Sequence, residues 1–411
     1  MYIPRHIEPV VGRIAKRKPV IVLTGARQVG KSTMLKKVYQ HINYVTLNRP
    51  LVRQSAKENP SLFFEANKPP VVVDEIQKAA ELFDFIKDWV DEDGDKKKGQ
   101  FYLTGSQSLK LMKNVSDSLA GRAGIIKLLG LSMRELAQVS YRKPFLPTLE
   151  HMSTVKKSGS KFDYQAVTAF VHKGSFPELY ENESDLADWN DYYSSYFQTY
   201  IEKDVKDVLN IQDESAFIKF VRTAASLTSR TLNLSTFAEV CGKDVKTIQA
   251  WMSVLQSSGL VYLLEPYHNN FNKRLIKAPK LHFLDTGLAC WLLGWNTPEQ
   301  LVNGAMWGHL FESFAFTEVL KSYYNDGIVV PPLYYYRDNN KNEIDLLIDS
   351  GDTLFPVEIK TTSDPTPVMT KAFRLLDKIP GKDVGTGALL CLTKECLPLT
   401  GSTWTMPIQL V

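Results

Sequence analysis

Eight residues limit most strongly what this chain can become: Gly25-Ala26-Arg27-Gln28-Val29-Gly30-Lys31-Ser32, set directly after the apolar run Val20 to Thr24 and opening a helical pattern, Ser32 to His41. A GxxxxGK[ST] loop between strand and helix curls its backbone so that successive N–H groups face inward at the positive end of the helix. Such a loop cradles phosphate oxygens. In that geometry Gly25 and Gly30 permit the curl, Lys31 reaches the β- and γ-phosphates and Ser32 offers a hydroxyl to Mg²⁺. Thr33 begins the helix that holds the loop. Arg27, inside the loop, either neutralises the bound phosphates or is an ordinary exposed arginine.

A nucleotide site of this kind needs an acidic residue at the end of a neighbouring strand, and Val71-Val72-Val73-Asp74-Glu75 supplies two. Asp74 would hold Mg²⁺, while Glu75, pointing differently, would orient the attacking water, a pairing that favours hydrolysis over binding alone. A further strand, Phe101 to Thr104, ends in Thr104-Gly105-Ser106-Gln107. There Thr104 and Gln107 either sense the γ-phosphate or cap a turn. With Tyr44 to Leu47 and Ile125 to Leu128, these runs alternate with helical patterns such as Ala79 to Val90, the βαβ signature of a parallel sheet. Asp91 to Gly99, with Lys96, Lys97 and Lys98, reads as a solvated turn.

The rest of the chain adds other patterns. With 411 residues, two to four domains are expected. The 44% hydrophobic and 23% charged content excludes a wholly disordered or fibrous chain, and no apolar run reaches the roughly 20 residues of a membrane span. No secretory leader is read. The four cysteines, Cys241, Cys290, Cys391 and Cys396, lack zinc spacing and suit reduced thiols, hence a cytoplasmic location. The excess of Lys and Arg over Asp and Glu is only +4, which permits nucleic-acid contact without demanding it. Tyr141 to Lys161 reads as an exposed linker or insertion. The tyrosine-rich segment Leu186 to Leu209, with Tyr200, Glu202 and Asp204, reads as packing between domains.

These motifs carry a resemblance. Lys31, Ser32, Asp74, Glu75 and the strand ending at Thr104 to Gln107 resemble a AAA-type P-loop ATPase of the additional-strand class. The VVVDEIQ, LTGSQ and SLAGR segments, with Gly174-Ser-Phe-Pro-Glu178, resemble a widespread prokaryotic ATPase family with a poorly characterised carboxy-terminal domain. The resemblance implies ATP and Mg²⁺. It makes Arg122 either an arginine finger acting on a neighbouring subunit's nucleotide, in which case the chain is a homo-oligomer, or an ordinary salt-bridging arginine. Where such proteins often place an acidic residue after the second strand, this chain has Asn48.

From Asn233 to Pro266, a short helix (Thr236 to Val240), a turn at Gly242, a longer helix (Val245 to Ser257) and an apolar run (Leu260 to Leu264) follow the order of a winged helix-turn-helix. Lys243, Lys246, Thr247 and Gln249 suit contacts to DNA, and Lys273, Arg274, Lys277 and Lys280 would form a basic wing. Protein contacts are the alternative. From about Gly304 a second, independent α/β core is expected: helix Leu310 to Tyr323, strands Leu333 to Tyr336, Glu343 to Ile348, Phe355 to Lys360 and Ala388 to Leu392, and a helix near Val368 to Leu376. Alternation along Val357-Glu358-Ile359-Lys360 sets Glu358 and Lys360 on one face, and a hairpin brings Asp345 beside them. With Glu312 this resembles the PD-(D/E)xK restriction-endonuclease-like superfamily. That implies Glu312, Asp345 and Glu358 as ligands of Mg²⁺ or Mn²⁺ and Lys360 as the group that positions water.

The expected architecture is therefore α/β: a P-loop NTPase parallel sheet at 1–135, a helical lid or insertion at 136–230, a winged helix-turn-helix at 231–300 and a separate restriction-endonuclease-like domain at 301–411. Three functions fit. One is a Mg-dependent ATPase coupled to a nucleic-acid-associated module, another an ATP-regulated DNA nuclease in defence or DNA processing. The third is a nucleotide-switched interaction protein with an inactive nuclease-like domain.

Overall fold

The computed structural model describes residues 2–92, 97–106, 109–158, 162–181, 186–199, 213–268 and 278–411. Its first sheet contains β1 (Val20–Gly25), β2 (Asn43–Thr46), β3 (Val71–Asp74), β4 (Phe101–Ser106) and β5 (Ala123–Lys127) in the order β2-β3-β4-β1-β5, every pair parallel. β1 is buried along its whole length and β3 likewise, which accounts for their unbroken apolar runs. Because all five strands point one way, the loop after β1 and the acidic end of β3 emerge together at the carboxyl edge of the sheet. This parallel sheet flanked by helices is the expected P-loop NTPase fold.

Helices Leu149–Ser158, Tyr164–Lys173, Leu186–Tyr196 and Glu214–Ser226 follow. The expected exposed linker or insertion is corrected in part: Arg142, Lys143, Leu149 and Glu150 are exposed, but the segment is anchored. Phe145 is fully buried, its N–H donates to Ser322 Oγ at 2.9 Å and its carbonyl accepts from Tyr323, so an apolar anchor pins the segment to a distant helix. The described part of the tyrosine-rich segment is packing, with Trp189, Tyr193 and Tyr196 buried; Tyr200, Glu202 and Asp204 lie outside the described residues.

Asn233 and Asp244 cap the helices Leu234–Cys241 and Val245–Ser257, which meet at Gly242 in the left-handed conformation. They lie between the first two strands of a three-stranded sheet, β6 (Arg230–Thr231), β7 (Val261–Leu264) and β8 (Lys280–Phe283), in the order β6-β8-β7. Lys273, Arg274 and Lys277 lie outside the described residues. Lys280 does not belong to an exposed wing: it is 2% exposed, and its side chain enters the next part of the molecule.

The last sheet runs β14 (Thr403–Pro407), β13 (Gly387–Cys391), β11 (Thr353–Ile359), β10 (Glu343–Ser350), β9 (Leu333–Arg337), with β12 (Asp383–Val384) beside β11. Strands β9 to β11 are antiparallel, while β11, β13 and β14 are parallel. This core is not independent of the rest. One continuous apolar cluster runs from Ile7 and Leu23 through Phe170, Phe220 and Trp251 to Phe314, Leu346 and Val411. At its centre lies the helix Trp307–Asn325, buried on nearly every side, which is why its sequence shows little amphipathicity. All four cysteines are buried and free, and among the described residues no helix is long and apolar enough to cross a membrane.

Candidate functional site

The loop after β1 is forced into its curve by close packing. A side chain at Gly25 would collide with the Leu128 carbonyl oxygen, and Gly30, at φ 93°, opens the helix Lys31–Val38 from the left-handed region. Lys31 is 6% exposed and its Nζ donates to the carbonyls of Gly25 and Ala26 at 3.0 and 2.6 Å, in the crook of the loop. Burial pushes its ammonium down to about 8, against the pull of Glu75 and Asp74.

Asp74 ends β3 beneath the loop. Burial raises its carboxyl, yet four hydroxyl donors outweigh that and hold it below the usual range: Ser32 and Thr104 on Oδ1 (both 2.5 Å), Tyr44 and Thr46 on Oδ2 (2.7 and 3.2 Å). Tyr44 and Thr46 went unnoticed in the sequence. Their period-2 spacing on β2, the strand beside β3, is the signal that would have found them. Glu75 takes φ 61°, the left-handed region, which turns its side chain away from that of Asp74. It receives a hydrogen bond from Gln77 Nε2 at 2.5 Å, and Gln77 also reaches Ser106. Ser32 and Asp74 present hard oxygen donors side by side, a set that suits Mg²⁺.

Lys31, Ser32, Thr33, Asn48 and Glu75 line one cavity of about 700 Å³ with Arg27 and Gly30. Its far wall comes from Pro177, Glu178, Glu181, Tyr196 and Thr199, so the Gly174-to-Glu178 motif closes over the loop. Gln107 lies outside the described residues. Arg122 stands at the start of β5, the sheet edge opposite the loop, and its guanidinium pairs with Asp91 at 2.6 and 2.8 Å. It is not brought to its own chain's cavity.

Sequence reasoning missed the struts of this cavity. Arg5, 3% exposed, donates to the carbonyls of Val29, Leu129 and Gly130 and pairs with buried Glu135. Leu131, also lining the cavity, is held twice: its N–H donates to Ser175 O and its carbonyl accepts from Lys321 Nζ. Lys321 pairs with Glu318, which also accepts from the N–H of Met133. On the other side Asp285 accepts from Ser175 and Tyr193. Apart from the i,i+3 pair Glu318–Lys321, these partners are far apart in sequence, so no spacing signals them.

A second cluster forms where β10 and β11 pair. As expected, Asp345 and Glu358 come together: Lys360 Nζ lies 3.2 Å from Asp345 Oδ2 and 2.6 Å from Glu358 Oε1, and the N–H of Ile359 donates to Asp345. Glu312 approaches from the Trp307–Asn325 helix, but between it and the strands stands Lys280. Its Nζ is 2.7 Å from Glu312, 2.5 Å from Glu343 and 3.8 Å from Asp345. Burial opposes charge on Lys280, but Glu312, Asp345 and Glu343 outweigh it and hold its ammonium well above the ordinary lysine value. Among the described residues no three His, Cys, Asp or Glu side chains are gathered to hold a metal ion. The expected metal set of Glu312, Asp345 and Glu358 therefore does not fit a divalent cation in this arrangement.

Residues 17–137 match a family model described as an AAA domain, while 164–299 and 307–411 match two models each described as a domain of unknown function. Uncharacterized proteins of Mycobacterium bovis and Mycobacterium tuberculosis are each 25% identical over 370 residues, covering 89% of this chain and 75% of theirs. Among solved structures, a Walker-type ATPase of Pyrococcus abyssi is similar with 14% identity and a TM-score of 0.43, over 69% of this chain and 94% of that one.

Proposed function

We propose, from an AAA-type ATPase domain at residues 17–137, that this chain hydrolyses Mg·ATP over the Gly25–Ser32 loop and that the cycle works a nucleic-acid-associated module built by the remaining domains. The observation that carries the reading is the convergence of Lys31, Ser32, Asp74 and Glu75 on one cavity and its wall. Loop N–H groups and the helix amino terminus bind the phosphates, and Lys31 sets its charge against the β- and γ-oxygens. Ser32 and Asp74 would hold Mg²⁺, which when bound would supply charge neutralisation for the developing phosphate charge. Glu75, fixed by Gln77, orients the attacking water and accepts its proton. Thr104 ties Asp74 to the β4 end, where the γ-phosphate is sensed. Arg122, at the opposite sheet edge, serves the cavity of a neighbouring copy, so the active form is a cytoplasmic homo-oligomer.

Coupling runs through Leu131. Because it lines the cavity and is tied to Ser175 and Lys321, a change at the γ-phosphate is transmitted to both the helical region and the Trp307–Asn325 helix. In the winged helix-turn-helix, Lys246 and Gln249 are exposed on the second helix and contact DNA. The mixed β9–β14 sheet serves as a restriction-endonuclease-like module. Lys280 among its carboxylates favours the reading in which that module binds without cutting.

Steady-state turnover and nucleotide binding test the site. Lys31→Ala abolishes ATP binding, whereas Glu75→Gln keeps it and lowers kcat by about 10²- to 10⁴-fold. Undiminished turnover in Glu75→Gln overturns the assigned base. For the nucleic-acid part, duplex DNA raises the ATPase rate and binds with a strong salt dependence. A rate indifferent to DNA, with no salt-dependent binding, removes it.

A further inference from the structure

We infer that Lys280 is the resident cation of the carboxylate cluster, occupying with its ammonium the place where Glu312, Asp345 and Glu358 would otherwise gather a divalent metal, so that the carboxy-terminal module carries a latent metal site closed by a neighbouring domain. The inference concerns the second cluster alone and stands apart from the nucleotide reading.

Four observations carry it. The Lys280 side chain is 2% exposed and satisfies two carboxylates at 2.7 and 2.5 Å with a third at 3.8 Å, the company a small hard cation keeps. It is not a mobile surface lysine that happened to fall inward. Its backbone sits in β8, paired with Leu264 on one side and Thr231 on the other, and the N–H of Leu232 donates to the Pro279 carbonyl just before it. The same strand is locked onto the helix that carries Glu312: His282 Nδ1 lies 3.1 Å from Ser313 Oγ and its ring stacks on Phe316. Finally, the cluster keeps unspent coordinating capacity. Glu358, 6% exposed, has one oxygen on Lys360 while its buried Oε2 has no partner.

Charge balance explains why metal and lysine exclude one another. Two cations, Lys280 and Lys360, already face the four carboxylates Glu312, Glu343, Asp345 and Glu358, and Arg337 reaches Glu343 at 3.7 Å. A divalent ion entering beside a buried ammonium would meet like charge at contact distance in a low-dielectric site. Taking the ammonium away leaves Glu312, Asp345 and Glu358 facing one another from three elements, the helix, β10 and β11, which a divalent cation neutralises.

Mn²⁺ titration of the full chain, nucleotide-free, followed by electron paramagnetic resonance and by thermal unfolding, decides it. Wild type shows no Mn²⁺ site that depends on Asp345 and no Mn²⁺-dependent rise in Tm. Lys280→Met gains one Mn²⁺ per chain, on the order of 100-fold tighter than wild type, lost again when Asp345→Asn is added. If Lys280→Met unfolds because its carboxylates are left unpaired, Mn²⁺ restores the fold. An Asp345-dependent Mn²⁺ site in wild type overturns the inference. So does a Lys280→Met chain that gains neither binding nor stability from Mn²⁺.

Discussion

Arg5 shows how a residue far from any motif shapes a phosphate loop. Its guanidinium spans the Val29 carbonyl inside the loop and the Leu129 and Gly130 carbonyls after β5, with Glu135 behind it, so the loop is braced from below by a planar fork of donors. A lysine offers a point charge and cannot make all these bonds. Arg5→Met leaves Glu135 buried and unpaired, and we expect a loss of about 3–5 kcal/mol in stability together with weakened nucleotide binding. Arg5→Lys restores stability in part but not ATP affinity. Thermal unfolding and nucleotide titration of the two variants check this, and wild-type affinity in Arg5→Lys would show that the fork is dispensable.

Among the elements, the Trp307–Asn325 helix has the largest reach. Near its start Glu312 meets Lys280; two turns on, Glu318 and Lys321 grip Leu131 and Met133 beside the nucleotide cavity, roughly 9–14 Å along the axis at 1.5 Å per residue. A rigid buried rod thus joins the two clusters. The Glu318–Lys321 pair is nearly sealed from solvent, at 1% and 3% side-chain exposure. Breaking one half strands a charge, whereas replacing both with apolar residues does not. Glu318→Ala is expected to cost about 3–5 kcal/mol, and Glu318→Leu with Lys321→Met markedly less. If the helix couples the clusters, the double variant hydrolyses ATP but loses its response to DNA. Denaturant unfolding and ATPase rates with and without DNA separate the two effects.

Across the whole molecule, five of the seven histidines, His6, His151, His172, His282 and His309, are held below the ordinary imidazole value, in each case chiefly by burial. His151 is pushed down to about 3. The sign follows directly. Below about pH 6.5 the unfolded chain binds protons that the folded one refuses, so stability is whole above that value and is lost as pH falls toward the folded values. Tm should therefore decline from about pH 6.5 to about pH 5, the five imidazoles outweighing Glu312 and Glu358, whose carboxyls burial raises to about 7 and about 8 and which pull the other way. His151→Gln shallows that decline. A Tm that stays flat over this interval contradicts the assignment. Because one apolar cluster joins all parts of the chain, the decline is expected as a single transition.

Local order was legible in the sequence, for a local reason. Loop spacing, strand alternation and helix caps are set by residues a few positions apart, so the Gly25–Ser32 loop, β3 with Asp74 and Glu75, the Val245–Ser257 helix and the pairing of Asp345 with Glu358 could all be read off directly. Even the Tyr44 and Thr46 donors to Asp74 left a period-2 trace on their strand. Tertiary structure alone decided the rest, because burial depends on what packs against a segment and not on its composition. Lys280 counted in the sequence as one more positive charge in a basic wing, while in the fold β8 delivers it to a neighbouring domain's carboxylates. The polar stretch around Phe145 looked exposed, although Phe145 itself is fully buried and anchors it to the Trp307–Asn325 helix. Arg5 meets Glu135, Glu318 meets Met133 and Asp285 meets Ser175 across more than a hundred residues, a distance that no pattern along the chain encodes.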